Sequence, residues 1–414
     1  MLKRVVVTGM AGISPLGSDW PQVAERLKNK STGIQFMQDW DKYHGLNTRL
    51  GAPAEFTRPE HYSRKQVRCM GRVALMATYA TELALIDAGL LHDACLNSGQ
   101  MGIAYGSSSG SPDAIAEFGN MLINHATGGL NATSYIRMMG HTTPVNISLF
   151  FGINGRIYPT SSACTSGSQG IGYAYEAIKF GLQKLMAAGG AEELSSIQAA
   201  VFDTLFATSL RNDTPDKSPR PFDRDRDGLV IGEGAGTLIL EELDHALARG
   251  AHIHAELVGF GINSDGLHVT QPNSGSMQVA MRLALQDAGL DASAIGYISA
   301  HGTATSHGDV AESHATAAVF GAKTPISALK SFTGHTLGAC GALEAWAAVN
   351  MMNEGWFHAT ANLDSIDPQC ATLDYIKEDI RKFDCDYVMS NNFAFGGINT
   401  SLIFKRWDGL LGGG

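Results

Sequence analysis

The sequence predicts an α/β protein whose parallel strands are covered by helices, with its chemistry at the strand ends. Three observations carry that prediction. Short β-rich apolar runs alternate with longer helical patterns along the chain, the pattern that crossover-connected sheets produce. The alternation occurs twice, before and after a charged stretch from Glu241 to Arg249. And 414 residues, 44% hydrophobic and only 17% charged, can bury a large core.

In chain order the strands are expected at 4–8, 101–105, 185–189, 236–241, 254–260, 296–300, 325–328, 386–389 and 400–405. Helical periodicity is clearest over 63–88, 166–181, 276–288, 309–319 and 338–353. Glu233-Gly234-Ala235-Gly236 and the charged stretch after it close a first half, 1–250, and a second half opens at Ala251 and runs over 251–408. The glycine-rich tail from Gly409 to Gly414 is expected to fray.

Bulk properties exclude several classes. No apolar run reaches the roughly 18 residues that a membrane helix needs, and the N-terminus lacks a charged-then-apolar leader, so a cytoplasmic location is expected. Six cysteines without metal-ligand spacing point to reduced thiols and no resident metal. A net charge of −10 argues against nucleic acid as a partner. Asp223-Arg-Asp225-Arg-Asp227-Gly228 begins like a calcium loop but places Gly234 where a bidentate glutamate is required. Gly232, Gly234 and Gly236 lack dinucleotide-site spacing.

The most informative residue is Cys164, in Ser161-Ser162-Ala163-Cys164-Thr165-Ser166-Gly167-Ser168. It follows the extended run 155–160 and precedes a helical pattern, where free N–H groups and the helix dipole favour the nucleophilic thiolate. A buried structural cysteine is the competing reading. Two further turns supply partners: His301 in a segment that runs on to Thr303, Thr305, Asp309 and Glu312, and His335 between Lys330 and Cys340. Each histidine follows a short strand and precedes a helix, the edge at which α/β folds keep their sites. A lysine beside a histidine keeps it neutral and hydrogen-bond donating, which is the form that stabilises an oxyanion.

Cys164 in SSACTSGS, RPFDRDRDGLVIGEGAG at 220–236, HGTATSHGD, KSFTGHTLGACG and NNFAFGGIN at 391–399 together resemble the β-ketoacyl-acyl-carrier-protein synthases of elongating, synthase I and II type. The resemblance runs from Arg4 to about Lys405 and implies a thiolase-like duplicated α/β/α/β/α architecture with two five-stranded mixed sheets. It implies decarboxylative condensation of a malonyl carrier with an acyl chain on Cys164. His301 and His335 then stabilise the enolate, Lys330 supports them with Glu344 and Glu312, and the N–H groups of Cys164 and Phe395 form a second oxyanion hole. Thr303 and Thr305 match pantetheine-holding positions, and Ser109 and Phe393 the acyl pocket.

The same resemblance implies an acyl carrier protein as partner, phosphopantetheine carried by the substrate with no cofactor on the enzyme, and a homodimer or a heterodimer with a related subunit. Carrier docking maps to Arg64, Lys65, Arg68 and Arg211; Arg64, Arg68 and Arg72 also read as an ordinary solvated helical face. Asp309 reads as a helix-start carboxylate complementing the dipole. Three departures from the family pattern bear on substrate: Ala394 in place of a gating-loop glycine, Cys340 at a small-residue position, and Ser109 where synthase II carries a bulky aliphatic group. With the stretch 43–50 they resemble the aryl-polyene and xanthomonadin-type pigment synthases. Housekeeping fatty-acid elongation, a thiolase, a non-catalytic chain-length-factor-like subunit and a cysteine hydrolase are the alternatives.

Overall fold

The computed structural model describes residues 2–409. Eleven strands join in one mixed sheet: β1 (Val5–Ile13), β2 (Met101–Gly106), β3 (Ile157–Pro159), β4 (Leu185–Glu192), β5 (Gly234–Glu242), β6 (Ala255–Ser264), β7 (Tyr297–Ser299), β8 (Pro325–Ser327), β9 (Asp374–Tyr375), β10 (Tyr387–Phe393) and β11 (Ile398–Arg406). Their order is β9-β8-β7-β10-β11-β6-β1-β5-β4-β2-β3.

Outward from the centre, β1-β5-β4-β2-β3 and β6-β11-β10-β7-β8 repeat one pattern: two antiparallel pairings, then two parallel ones. The duplicated five-stranded architecture is therefore present, with two differences from expectation. Strand β9 extends the second half at its edge, and a short antiparallel ladder between Val5–Val7 and Ala255–Leu257 joins the halves into one run. Strand β1 is buried at all nine positions, so it shows a near-continuous apolar run, broken only by Thr8, in place of alternation.

Helices sort into three layers around the two half-sheets. Ser166–Lys179 and Cys340–Glu354 pack on each other and on strands of both halves, which makes them the middle layer. Cys340–Glu354 is buried on nearly every side, as a central helix must be. Arg72–Asp87 covers β1 and β5 on one outer face, and Ser274–Ala288 covers β6 and β11 on the other, backed by Ser306–Phe320. Close approach is bought by glycine at matching places: a Cβ on Gly9 would lie 2.2 Å from the Ala84 carbonyl oxygen, and one on Gly261 would lie 2.0 Å from that of Ala280. Three apolar clusters fill the gaps between the layers.

All nine expected strands are present, most of them longer than the sequence indicates. The 63–88 pattern is two helices, Arg64–Val67 and Arg72–Asp87. The chain is extended at Gly71, where a Cβ would meet Ser111 Oγ at 2.4 Å. That break turns Arg72 inward, onto the Glu233 carboxylate at 2.7 Å and the Ala54 and Phe56 carbonyls, so it leaves the expected basic face. The tail beyond Gly409 lies outside the described residues. No helix among the described residues is long and apolar enough to cross a membrane.

Candidate active site

The parallel strands bring the chemistry to one place, outside their carboxyl ends. Cys164 follows β3, Ser107 to Ser109 follow β2, His301 follows β7, His335 follows β8 and Phe395 follows β10. Cys164 sits in a turn of 3-10 helix, Ala163–Thr165, that runs into Ser166–Lys179. Ala163, Ala304 and Leu337 all have left-handed φ, at 51°, 63° and 46°. Each such non-glycine residue costs roughly 1–2 kcal/mol, and strain of this kind gathers where a site must be held in one geometry.

Cys164 Sγ lies 3.0 Å from His335 Nε2. The other nitrogen of that ring, Nδ1, accepts the Leu337 N–H at 3.3 Å, so the proton sits on Nε2 and points at the sulfur. His301 follows the same logic. Its Nδ1 faces the Lys330 ammonium at 3.1 Å, and its Nε2–H is buried without a partner among the described residues. The two rings stand nearly perpendicular with centroids 5.2 Å apart, lining one cavity with Cys164.

Burial, reinforced by the Lys330 charge, holds both imidazoles well below the ordinary histidine range, so they are neutral N–H donors. Lys330 is anchored by Glu344 at 2.5 Å and the His301 carbonyl at 2.7 Å. Burial lowers its pKa, but the neighbouring Cys340 and the Glu344 carboxylate outweigh burial and the ammonium is retained. Glu312 accepts the His301 and Gly302 N–H groups, each at 2.7 Å, and so fixes the histidine turn from behind. Burial pushes the Glu312 carboxyl up to about 8.

Cys164 departs from expectation. Burial pushes its thiol up to about 11, and the Lys330 charge and the N–H groups of Phe395 and Cys164 only partly offset this. The helix start does not leave a resting thiolate, because the residue is 96% shielded from solvent and the charged form is desolvated. Cys164, His301 and His335 lie close enough together for a metal ion. Both imidazoles, however, carry their protons on the nitrogens a metal would need. Reversing them would set Nδ1–H against the Leu337 N–H and the Lys330 ammonium. The trio is an N–H donor set and not a ligand set.

Two cavities meet at Cys164. The larger, about 420 Å³, is lined by Thr303 and Thr305, whose hydroxyls lie 2.9 Å apart, and opens past Phe206 and His268. The smaller, about 210 Å³, is walled by Ser109, Ile115, Val201 and Phe202. Ser109 thus lines the smaller cavity. Phe393 lines the larger cavity with its ring 6.1 Å from His301, because the pleat of β10 turns it toward that histidine. Asp309 is also more than a helix-start charge. It is fully buried, accepts the Phe222 and Ala304 N–H groups at 2.7 and 3.1 Å, and faces Arg226, tying the 220–228 loop to the threonine turn.

Among the basic positions, Arg64, Lys65 and Arg68 are exposed. Arg211 is half-buried and already engaged, with the Asp225 carbonyl at 2.7 Å and Asp227 at 3.5 Å.

Residues 2–246 match the beta-ketoacyl synthase N-terminal domain family, and residues 254–364 match the C-terminal domain family. The chain belongs to the β-ketoacyl synthases. It is 37% identical over 409 residues to 3-oxoacyl-[acyl-carrier-protein] synthase 1 of Escherichia coli strain K12, across 98% of this chain and 99% of that one. A crystal structure of a beta-ketoacyl synthase from Burkholderia phymatum STM815 is 59% identical with a TM-score of 0.97, covering 98% of this chain and all of that one (100%). The ishigamide ketosynthase/chain length factor is 32% identical with a TM-score of 0.90, over 98% of this chain and 100% of that one.

In this β-ketoacyl synthase two buried groups escape sequence reasoning. Asn392 donates to Glu344 at 2.7 Å and reaches His301 Nδ1 at 3.4 Å, completing the lysine–glutamate pair. Glu192 accepts N–H bonds from Ser108 and Gly338 at 2.9 and 3.0 Å, pinning both walls of the nucleophile turn. The one available signal was an acid ending the otherwise apolar run of β4.

Proposed function

We propose that the enzyme condenses malonyl-acyl carrier protein, with loss of CO₂, onto an acyl chain carried by Cys164, giving β-ketoacyl-acyl carrier protein. The observation that carries this reading is the pair of neutral imidazoles, each with Nε2–H directed into the cavity beside Cys164.

The steps follow from these atoms. The carrier's acyl thioester enters the larger cavity along Thr303 and Thr305. Cys164 attacks its carbonyl as the thiol proton departs with the pantetheine sulfur, and the N–H groups of Cys164 and Phe395 hold the tetrahedral oxyanion. The acyl chain is left as a thioester in the smaller cavity. A malonyl thioester then places its carbonyl oxygen between the two Nε2–H groups. Loss of CO₂ leaves an enolate there, and each preorganised donor contributes about 3–4 kcal/mol. The enolate carbon attacks acyl-Cys164, a C–C bond forms, the C–S bond breaks, and His335 Nε2–H receives the departing sulfur.

The site weighs against the alternatives. A thiolase needs a second reactive thiol, yet Cys340 lines neither cavity. A hydrolase needs a basic nitrogen facing water, and both imidazoles present N–H instead. A chain-length-factor-like subunit has no use for a nucleophile set in this way. The division at about residue 250 belongs to the same reading, with Cys164 in the first half and His301, His335 and the Phe395 loop in the second. A conjugated, pigment-type acyl chain is favoured over a saturated one by the small Ser109 in the acyl pocket wall.

Carrier docking by Arg64, Lys65 and Arg68 is supported by their exposure; Arg68→Glu should weaken carrier binding about three- to tenfold at low salt and less at high salt. A related subunit is supported by exposed Leu122, Ile123 and Leu149, on helices that pack in series onto edge strand β3. A concentration-independent monomer in light scattering would remove it.

The central test is mass spectrometry of Cys164 after incubation with an acyl carrier, followed by malonyl carrier. His301→Ala and His335→Ala should still take the acyl group and fail to condense. Full condensation in either variant overturns the assignment.

A further inference from the structure

Helix Ser196–Thr204 ends in a turn that satisfies two of its last carbonyls: the Phe206 N–H donates to the Asp203 oxygen and the Ala207 N–H to the Phe202 oxygen, each at 3.0 Å. That pair of bonds requires a left-handed residue, and the residue is Phe206, with φ at 53°. Gly152, Gly289 and Gly355 take the same conformation at the ends of three other helices, where the missing Cβ removes the strain. A phenylalanine there destabilises the turn. Its ring gains almost nothing in exchange, because Phe206 is 91% exposed, more than any other large apolar residue among the described residues. Within the chain, neither backbone nor packing favours a phenylalanine at this position.

The position of the ring says what would cover it. Phe206 lines the larger cavity at its open side, together with the exposed Leu205 and Val269, and Cys164 lies at the inner end of the same cavity. A thioester that reaches the sulfur on a pantetheine arm leaves the protein bearing the arm outside, seated on this rim. A strained backbone that holds an aromatic ring out into solvent beside a site is the pattern of a contact made with a partner. Aromatic side chains buried by an arriving protein are among the strongest contributors to binding.

We propose that Phe206 is an apolar anchor for the acyl carrier protein, received by apolar side chains beside the carrier's arm-bearing residue. This rests on a carrier protein being the acyl donor to Cys164 and adds the contact that seats it. Phe206 is a positioning residue: it acts on the protein outside the cavity and touches neither the reacting atoms nor the acyl chain.

The test uses the full-length enzyme and two donors, octanoyl-acyl carrier protein and octanoyl-pantetheine, the second having the arm and no protein. Rates of Cys164 acylation are read by intact mass. Phe206→Gly should raise the half-saturating concentration of the carrier donor about tenfold and leave its maximal rate within about twofold. Acylation by octanoyl-pantetheine should not change. The denaturant midpoint of unfolding should rise, because glycine relieves the left-handed turn. Phe206→Trp should keep carrier saturation within about threefold of wild type, since it retains an apolar ring. The loss in the glycine variant should be similar at low and high salt, unlike that of Arg68→Glu, because apolar contact is not screened. Unchanged carrier saturation, or an equal loss with octanoyl-pantetheine, overturns the proposal. So does a fall in the unfolding midpoint, which would mean that the ring packs within its own chain, or a changed mass in light scattering with carrier kinetics intact, which would assign Phe206 to a contact between copies. Absence of any acyl group on Cys164 of the wild-type enzyme from either donor is a different failure and would remove the proposed function itself.

Discussion

Cys164 and Cys340 occupy corresponding places in the two halves. Each stands in or just after a turn of 3-10 helix that contains a left-handed non-glycine residue, Ala163 or Leu337, and each leads into a middle-layer helix. Both cysteines are almost completely buried, and burial raises both thiols, Cys164 to about 11 and Cys340 well above the ordinary cysteine range. What differs is the company. Cys164 borders both cavities and faces His335 Nε2–H and the Phe395 amide. Cys340 gives its own S–H to the Cys164 carbonyl at 3.2 Å and lies near Asn392 and the carboxylate of Glu344. A helix start does not make a nucleophile. Access and N–H donors aimed at the developing negative charge do.

The sharpest way to break this comparison is to remove each thiol in turn. Cys164→Ala should abolish acylation and condensation, a loss of at least about 10³-fold, read by intact mass and product formation. Equal activity from Cys340 alone would erase the distinction. The histidine donors come next: His301→Ala or His335→Ala should each lower condensation by about 10²–10³-fold in single-turnover assays with pre-acylated enzyme. A drop in acylation of the same size would mean that the imidazoles serve the thiol and not the enolate.

Lys330 lies beside both sulfurs and lowers both pKa values, so Lys330→Met probes the shared electrostatics. It leaves Glu344 buried and unpaired and should cost about 3–5 kcal/mol in denaturant unfolding. Adding Glu344→Gln should restore most of the stability without restoring condensation. No recovery in the double variant would place the instability elsewhere.

Alkylation sharpens the comparison further. For an acid whose pKa is raised, the thiolate is scarce below that value and grows about tenfold per pH unit. Iodoacetamide labelling of Cys164 should therefore climb through pH 7–10 without a plateau, and Cys340 should remain unlabelled until the protein unfolds. A plateau near pH 7 would mean that the helix start outweighs burial after all. The smallest effect belongs to Cys340→Ala, expected to keep acylation within about threefold of wild type, less than 1 kcal/mol in barrier. A larger loss would show that its S–H bond to the Cys164 carbonyl positions the nucleophile.

The sequence was most legible where period and turn chemistry agree. The strands alternating with helices, and Cys164, His301 and His335 at strand ends, follow from local pattern. What was hidden depends on which way a side chain points once strands pair. Asn391 and Asn392 are neighbours in one motif, yet only Asn392 reaches Glu344, while the Asn391 oxygen accepts Ser401. The pleat decides between them, and the pleat is set by register with β7 and β11. Arg72 was misplaced for a different reason. A helical wheel put Arg72 on the surface, but the break at Gly71 rotates it onto Glu233. Burial likewise reversed the expected state of Cys164, because a helix start is visible in sequence and desolvation is not.

Strand β1 has a consequence for how the chain is made. Val5 finds its partner Glu242 only 237 positions downstream, and the ladder to Ala255–Leu257 comes later still. At ribosomal speeds of about 5–20 residues per second, the nine mostly apolar residues of β1 emerge roughly 12–50 s before their neighbours exist. During that interval a strand destined for the centre of the sheet is an unpaired edge, open to any other chain. Slowing translation between residues 100 and 240 lengthens that interval and should shift newly made protein from the soluble to the aggregated fraction.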